Sequence, residues 1–224
     1  MNAIVTGGKN GLLGPIWASE LYNLGYDVSI FDMPEYDMLC KKDIETFLAA
    51  NPTPDVIVHN AAIDPKPGMD EGYNPFRRYE EIIKVNLIGP AYFNELLIDH
   101  LILNGGGVIV HIGSIMGYIA ANQTNYQDGW KKAFGYNDSK RALQSHIDGI
   151  NECYGKHNIR AVMPSFGPFE KGLSPLFMEG FGKKIPMRRA ISEEEMRAVL
   201  RFCLDVPSLA GEFRVDGGYT RVGR

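Results

Sequence analysis

The sequence predicts a single α/β domain in which helices cover both faces of a parallel sheet, and three observations carry that prediction. Short apolar runs alternate with stretches of helical periodicity along the whole chain, the pattern of strands joined by crossover helices. The runs Asp55–His59 and Val108–Ile112 are dominated by valine and isoleucine, as expected of strands buried on both faces. A glycine-rich turn follows the first run and opens a helical pattern. With 224 residues, 45% hydrophobic and 22% charged, the chain suits one such domain and is short for two.

Ala3–Thr6 reads as the first strand. Gly7-Gly8-Lys9-Asn10-Gly11-Leu12-Leu13-Gly14 follows, and then Leu13, Ile16, Trp17, Leu21 and Leu24 recur at helical spacing. Glycines let a backbone turn sharply and approach a pyrophosphate, whose charge the following helix N-terminus favours. The expected contacts of a dinucleotide here are Gly7, Lys9, Asn10, Gly11, Leu12 and Leu13. The second strand, Asp27–Phe31, ends in Asp32. An acid at that tip can accept both ribose hydroxyls and repels a 2′-phosphate. It predicts NAD in preference to NADP, while Lys9 pulls the other way. Asp37 and Met38 join the expected cofactor contacts, and a helix over Lys41–Ala50 closes at Asn51-Pro52.

The third strand runs into Asn60-Ala61-Ala62, which are further expected cofactor contacts. A loop over Asp64–Pro75 leads to a long amphipathic helix, Phe76–Leu103, interrupted at Gly89-Pro90. Asn86 stands inside it among apolar residues, the mark of a local kink or a buried hydrogen-bonding post. Strand Val108–Ile112 ends at Gly113-Ser114. A polar and aromatic segment, Met116–Phe134, then leads to a helix from Tyr136 to about Tyr154. Ile159–Met163 is the next strand, followed by Pro164-Ser165-Phe166-Gly167-Pro168. The segment 165–190, rich in Gly, Pro, Phe and Lys, reads as a mobile lid of the kind that governs selectivity. A helix from Ser192 to Leu204 carries Glu193, Glu194 and Glu195 at its positive end. Gly211–Val215 is the last strand, and Asp216-Gly217-Gly218 turns the chain out.

In an open α/β sheet, ligands sit outside the carboxyl ends of the strands. The glycine turn, Asp32, Asn60 and Ser114 all reach that edge. Tyr136 and Lys140, one helical turn apart, share a face. An ammonium near a phenol favours its ionised form, and such a phenol exchanges a proton with a carbonyl or alcohol.

The formal charge of −4 argues against nucleic acid or an acidic membrane as the main partner. The chain enters a core strand almost at once, with no secretory signal and no run of membrane-spanning length. It is therefore expected in the cytoplasm. Cys40, Cys153 and Cys203 read as reduced thiols, and the five histidines show no ligand spacing, so no metal is expected.

Thr6-Gly7-x-x-x-Gly11, Asn60-Ala61-Ala62, Asn86, Ser114, Tyr136-x-x-x-Lys140 and Val215-Asp216-Gly217-Gly218 together resemble the short-chain dehydrogenase/reductase family over essentially the whole chain. The resemblance implies a Rossmann-type doubly wound sheet and NAD(P)-dependent hydride transfer to or from an alcohol or ketone. It implies an Asn86-Ser114-Tyr136-Lys140 tetrad: Tyr136 the general acid/base, Ser114 a donor to the substrate oxygen, Asn86 the holder of a relay water. Lys140 lowers the tyrosine pKa and, with Tyr136, contacts the nicotinamide ribose. Pairing of the helices 76–103 and 136–154 into a homodimer or homotetramer is implied as well.

Three features depart from compact members. Leu13 stands where they usually carry glycine, with Gly14 one place later. The gap from Ser114 to Tyr136 is longer, and Pro164-Ser165-Phe166-Gly167 replaces Pro-Gly. Pro164, Phe166 and Gly167 are then the expected nicotinamide-side contacts. The long gap and Pro54–Ala62 are similar to sugar-nucleotide enzymes and to bacterial members of surface-glycan and nonulosonic-acid pathways. A sugar or sugar-like polyol is the expected substrate, with Tyr118, Tyr126 and Trp130 stacking on its ring. Lys171, Lys183, Lys184, Arg188 and Arg189 would meet a carboxylate or phosphate. The alternatives are a nucleotide-sugar epimerase or dehydratase, whose large C-terminal substrate domain is not expected here, and a non-catalytic cofactor sensor, which would usually lack the tyrosine or lysine.

Overall fold

A computed structural model describes residues 1–64, 74–122 and 132–221. The strands are β1 (Asn2–Thr6), β2 (Asp27–Phe31), β3 (Val56–His59), β4 (Gly107–His111), β5 (Gly113–Ser114), β6 (Ile159–Phe166) and β7 (Gly211–Val215). The helices are α1 (Gly14–Asn23), α2 (Lys41–Ala50), α3 (Pro75–Ile83), α4 (Gly89–Leu103), α5 (Phe134–Tyr154), α6 (Pro175–Gly182) and α7 (Glu193–Asp205). All strand pairs are parallel, and β2, β1, β3, β4 and β6 lie side by side in that order. β6 pairs with β4 and then β5 along one side and with β7 along the other. The chain thus leaves β1 toward β2 and returns to the opposite side at β3, a reversal of winding that opens a crevice beyond the strand ends.

Strand residues alternate between two apolar layers, as period-2 geometry requires. Ile4, Ile57, Ile109, Ala161 and Met163 pack with α2, α4 and α5 through Ile44, Phe93, Leu97 and Ile147. Ala3, Val5, Val58, Val110 and Val162 pack with α1 and α7 through Trp17, Leu21, Met196 and Leu200. Both helix layers are therefore anchored by residues at i, i+3 and i+4 spacing. Glu20 of α1, nearly buried, receives Arg197 at 3.2 Å and Arg201 at 2.5 Å from α7. Ser192 caps α7 in a reciprocal pair with Glu195.

Two boundaries differ from expectation. The chain does not break at Gly89-Pro90: between α3 and α4 it passes through a π-helical turn, Lys84–Ile88, and remains helical. Pro90 falls in the first turn of α4, where a missing N–H costs least, and Gly89 lies so close to Met38 that a Cβ would stand 2.5 Å from its sulfur. β6 also runs three residues further than expected, because β7 supplies a ladder up to Phe166. The expected lid, 165–190, holds α6 and buries Phe181 and Ile185 against Ile115 and Tyr219. Most of the expected loop Asp64–Pro75, together with Tyr126 and Trp130, lies outside the described residues. Among the described residues no helix is long and apolar enough to cross a membrane.

Below the strand ends sits a polar layer. His59 and His111, opposite each other in the β3–β4 register, stack at 4.6 Å between ring centroids. Asn94 of α4 contacts His59 at 2.8 Å through Oδ1, and His111 and His146 at 3.1 Å through Nδ2. An amide nitrogen only donates, so the Nε2 atoms of His111 and His146 must be acceptors; His59 Nε2 must carry its proton. The rings of His111 and His146 are then neutral, and burial favours the neutral form of His59. Burial is the main reason that His59 is held down to about 4, with the nearby His146 adding and Asn94 opposing. Burial likewise holds His111 well below the ordinary imidazole value and lowers His146.

Groups with depressed native imidazole values bind protons in the unfolded chain first, so stability is complete above about pH 6.5 and falls as pH drops toward the folded values. Urea unfolding between pH 6.5 and 5 should therefore show a slope approaching about 1.4 kcal/mol per pH unit for each of His59 and His111. A flat free energy over that window would contradict neutral burial of the pair.

Candidate active site

The site begins at the end of β1. The chain reverses at Gly7 with φ of +64°, a conformation costly for any residue with a Cβ. A Cβ on Gly7 would stand 2.9 Å from Ala61 Cα, and one on Gly14 would stand 2.0 Å from the Gly7 carbonyl oxygen. Gly14 thus takes the close-packing role at the start of α1, while Leu13 borders the cleft. Asn60 ties these pieces together. Its Oδ1 accepts from Trp17 Nε1 at 3.0 Å and its Nδ2 donates to the Gly7 carbonyl at 2.9 Å. The backbone N–H groups of Asn60 and Ala61 both donate to Thr6 Oγ1 at 3.1 Å. The Asn60 amide is committed to shaping the loop.

Asp32 lies at the cleft beyond β2, its carboxylate accepting the Lys9 and Met33 N–H groups at 2.9 Å each. The Lys9 ammonium is paired with Glu35 at 2.8 Å. Gly7, Asn10, Gly11, Leu12, Leu13, Asp32, Asn60, Ala61 and Ala62 line one half of a cleft of about 680 Å³. Ser114, Tyr136, Lys140, Phe166 and Gly167 line the other. Lys9, Asp37, Met38, Asn86 and Pro164 are not among the lining residues. Asp37 closes a turn by accepting the Leu39 N–H at 2.9 Å. Met38 is a core residue, and Pro164 is held inside β6 opposite Phe213.

At the other half, Ser114 Oγ accepts the Met116 N–H at 3.2 Å, which leaves its O–H to donate toward the cleft. Tyr136 stands in the first turn of α5. Lys140, one turn on, is only 4% exposed. Its ammonium donates to the Ile112 carbonyl at 2.7 Å and lies 5.7 Å from the Tyr136 ring centroid. Burial lowers the Lys140 pKa to about 8, with Asp64 opposing and Lys132 adding to the shift. Asn86 in the π turn is buried. Its Oδ1 accepts the Ile63 N–H at 2.8 Å and its Nδ2 donates to the Ile63 carbonyl at 2.9 Å. It pins the chain just after Ala62 to the helix beside α5.

Tyr118 does not offer a free stacking face: Arg214 lies 3.9 Å from its ring centroid, and Arg141 lies at 5.6 Å. The cations of 165–190 are also engaged. Lys171 pairs with Glu193, Lys183 with Glu179 at 2.7 Å and Arg189 with Glu195 at 2.6 Å, while Arg188 donates to the Lys183 carbonyl. Sequence reasoning missed two residues: Lys132, whose Nζ stands 4.2 Å from the Tyr136 ring centroid, and Asp64, which lines the cleft and is ion-paired with Lys132. Both adjoin segments already placed at the site, after Asn60-Ala61-Ala62 and before Tyr136, which was the available signal. Among the described residues, no group of three His, Cys, Asp or Glu side chains is placed to hold a metal.

Residues 36–220 match a family model described as enoyl-(acyl carrier protein) reductase. The chain is 27% identical over 199 residues to an uncharacterised oxidoreductase of Thermotoga maritima, spanning 83% of this chain and 73% of that protein. A short-chain dehydrogenase of Leptospira borgpetersenii, solved with bound NAD+, superposes with a TM-score of 0.85 at 19% identity, over 98% of this chain and 92% of that one. A gluconate 5-dehydrogenase of Burkholderia cenocepacia, solved with NADP and tartrate, does so with a TM-score of 0.80 at 20% identity, over 99% and 96%. The protein belongs to the short-chain dehydrogenase/reductase family. It is an oxidoreductase of the kind that acts on CH–OH groups.

Proposed function

We propose that the protein interconverts an alcohol and a ketone on a small polyhydroxylated or sugar-derived substrate, using NAD. The observation that carries this reading is the meeting of Ser114, Tyr136 and Lys140 in one cleft with the glycine turn and Asp32. The cradle fits a dinucleotide. Side chains are excluded at Gly7 and Gly14, α1 begins there, and Asp32 waits at the second strand end. Gly7, Asn10, Gly11, Leu12, Leu13, Asp32, Ala61 and Ala62 would hold the adenosine and phosphates. Tyr136, Lys140, Phe166 and Gly167 would hold the nicotinamide side. The bound nicotinamide supplies or takes up the hydride.

The chain's own residues do the rest. Ser114 donates to the substrate oxygen and fixes its position. Tyr136 gives that oxygen a proton in reduction and removes it in oxidation. Lys140, held by the Ile112 carbonyl, presents a buried ammonium that favours the phenolate. Asn86 keeps the Ile63 backbone in place at the cleft wall and takes the tetrad's fourth role there, as holder of a relay water. The polyol reading is supported by the polar groups around Tyr136 and by the gluconate and tartrate named for one solved relative. The family model's description favours a second reading, an acyl thioester substrate, and a panel containing both classes separates the two. The exposed apolar side chains of Ile88, Tyr92, Leu103 and Phe134 support pairing of copies through the helix pair α4 and α5.

Tyr136→Phe should cut NAD(H)-linked turnover of polyols, sugar acids or simple ketones by at least about 100-fold and leave NADH affinity nearly unchanged. Undiminished turnover would remove Tyr136 from the mechanism. Fluorescence titration should show tighter binding of NADH than of NADPH because of Asp32; the reverse preference would shift the assignment to a Lys9 released from Glu35. Sedimentation should return a dimer or tetramer mass, and replacing Tyr92 and Leu103 with charged residues should lower it. A monomer in the unaltered protein would exclude that pairing.

A further inference from the structure

Two cations flank the Tyr136 ring, and the closer one lies outside the tetrad. Lys132 Nζ stands 4.2 Å from the ring centroid, against 5.7 Å for Lys140 Nζ. The Lys132 side chain is only 15% exposed and is paired with Asp64, which is 42% exposed and lines the cleft. This pair spans from the chain after β3 to the start of α5, over the tyrosine. Its field also reaches Lys140, whose charged form Asp64 favours and Lys132 disfavours.

The other polar groups around this point leave room for that influence. On α5, Asp138 is turned to α3, where it accepts from Tyr79 Oη at 2.9 Å. β4 contributes His111, which is buried, and the π turn contributes the uncharged Asn86. β5 contributes the Ser114 hydroxyl. A cation over an aromatic face is attracted by the ring's electron density. Deprotonating the phenol adds negative charge to that same ring, so the attraction to Lys132 grows when Tyr136 ionises. Asp64, of opposite sign and close by, weakens the gain.

We propose that Lys132 is a second positioning cation for Tyr136 and that Asp64 is its counterweight, so that three charges, and not Lys140 alone, set the phenol–phenolate balance. Lys132 does not line the cleft and acts through the tyrosine. The proposal rests on Tyr136 as the proton-transferring group. Its test reads the phenol itself, so it succeeds or fails independently of whether a given substrate turns over.

The experiment is a pH titration of tyrosinate absorbance in the full-length chain. Each variant is compared with the same variant carrying Tyr136→Phe, which isolates this phenol from the other tyrosines. Lys132→Met should raise the Tyr136 midpoint by about one pH unit, and Asp64→Asn should lower it by a similar amount. The double variant should return close to the unaltered protein, and Lys132→Arg should keep the original midpoint. Asp64→Asn is nearly isosteric and keeps the test open if Lys132→Met is poorly folded. Midpoints that stay fixed in both single variants, or that move in the same direction, would overturn the proposal.

Discussion

The close approach of Gly7 to Ala61 is the contact on which the rest of the cleft depends. Parallel pairing sets Thr6 beside His59, so the chain leaving β1 and the chain leaving β3 emerge together. Only a residue without a Cβ fits between them. Asn60 then closes the arrangement by bonding both Gly7 and Trp17, and Trp17 in turn stacks on Phe166 at the end of β6. One hydrogen-bonded residue thus relates the glycine turn, the first helix and the far wall of the site. Small errors at this junction would spread to every strand end that borders the cleft.

Charge is arranged in layers above and below those strand ends. Lys140 is almost fully buried and satisfied by a backbone carbonyl. A second buried cation immediately below would be costly, and the layer below is built from imidazoles that burial holds neutral. His111 feels the Lys140 charge as one of the influences lowering its own pKa. The neutral layer and the charged lysine are therefore one electrostatic arrangement. Asn94 completes it, because its amide meets three rings without requiring an ion.

Much of this was legible from the amino acids. Valine and isoleucine runs with helical stretches between them specify the sheet, and the glycine turn, Asp32, Ser114 and Tyr136-x-x-x-Lys140 are each tied to a strand end or helix turn by local rules. What escaped prediction depends on side chains distant in sequence. The pairing of Lys132 with Asp64 crosses 68 positions, and no periodicity reports it. Arg214 on Tyr118 is likewise a tertiary contact. The engagement of Lys183 was within reach, since Glu179 lies one helical turn before it.

The π turn Lys84–Ile88 has a consequence for how the chain tolerates change. One additional residue in a helix rotates all that follows by about 100°. Here the wide turn absorbs that rotation, so that Asn86 clasps Ile63 while Phe93, Leu97 and Leu101 still face the sheet. Removing a residue from the turn would restore a regular helix with Ile82 and Phe93 still on the same faces, so the loss would fall on the wide turn itself and on the Asn86 clasp. The chain can therefore lose one residue here and keep its core, but not the post that fixes the chain after Ala62.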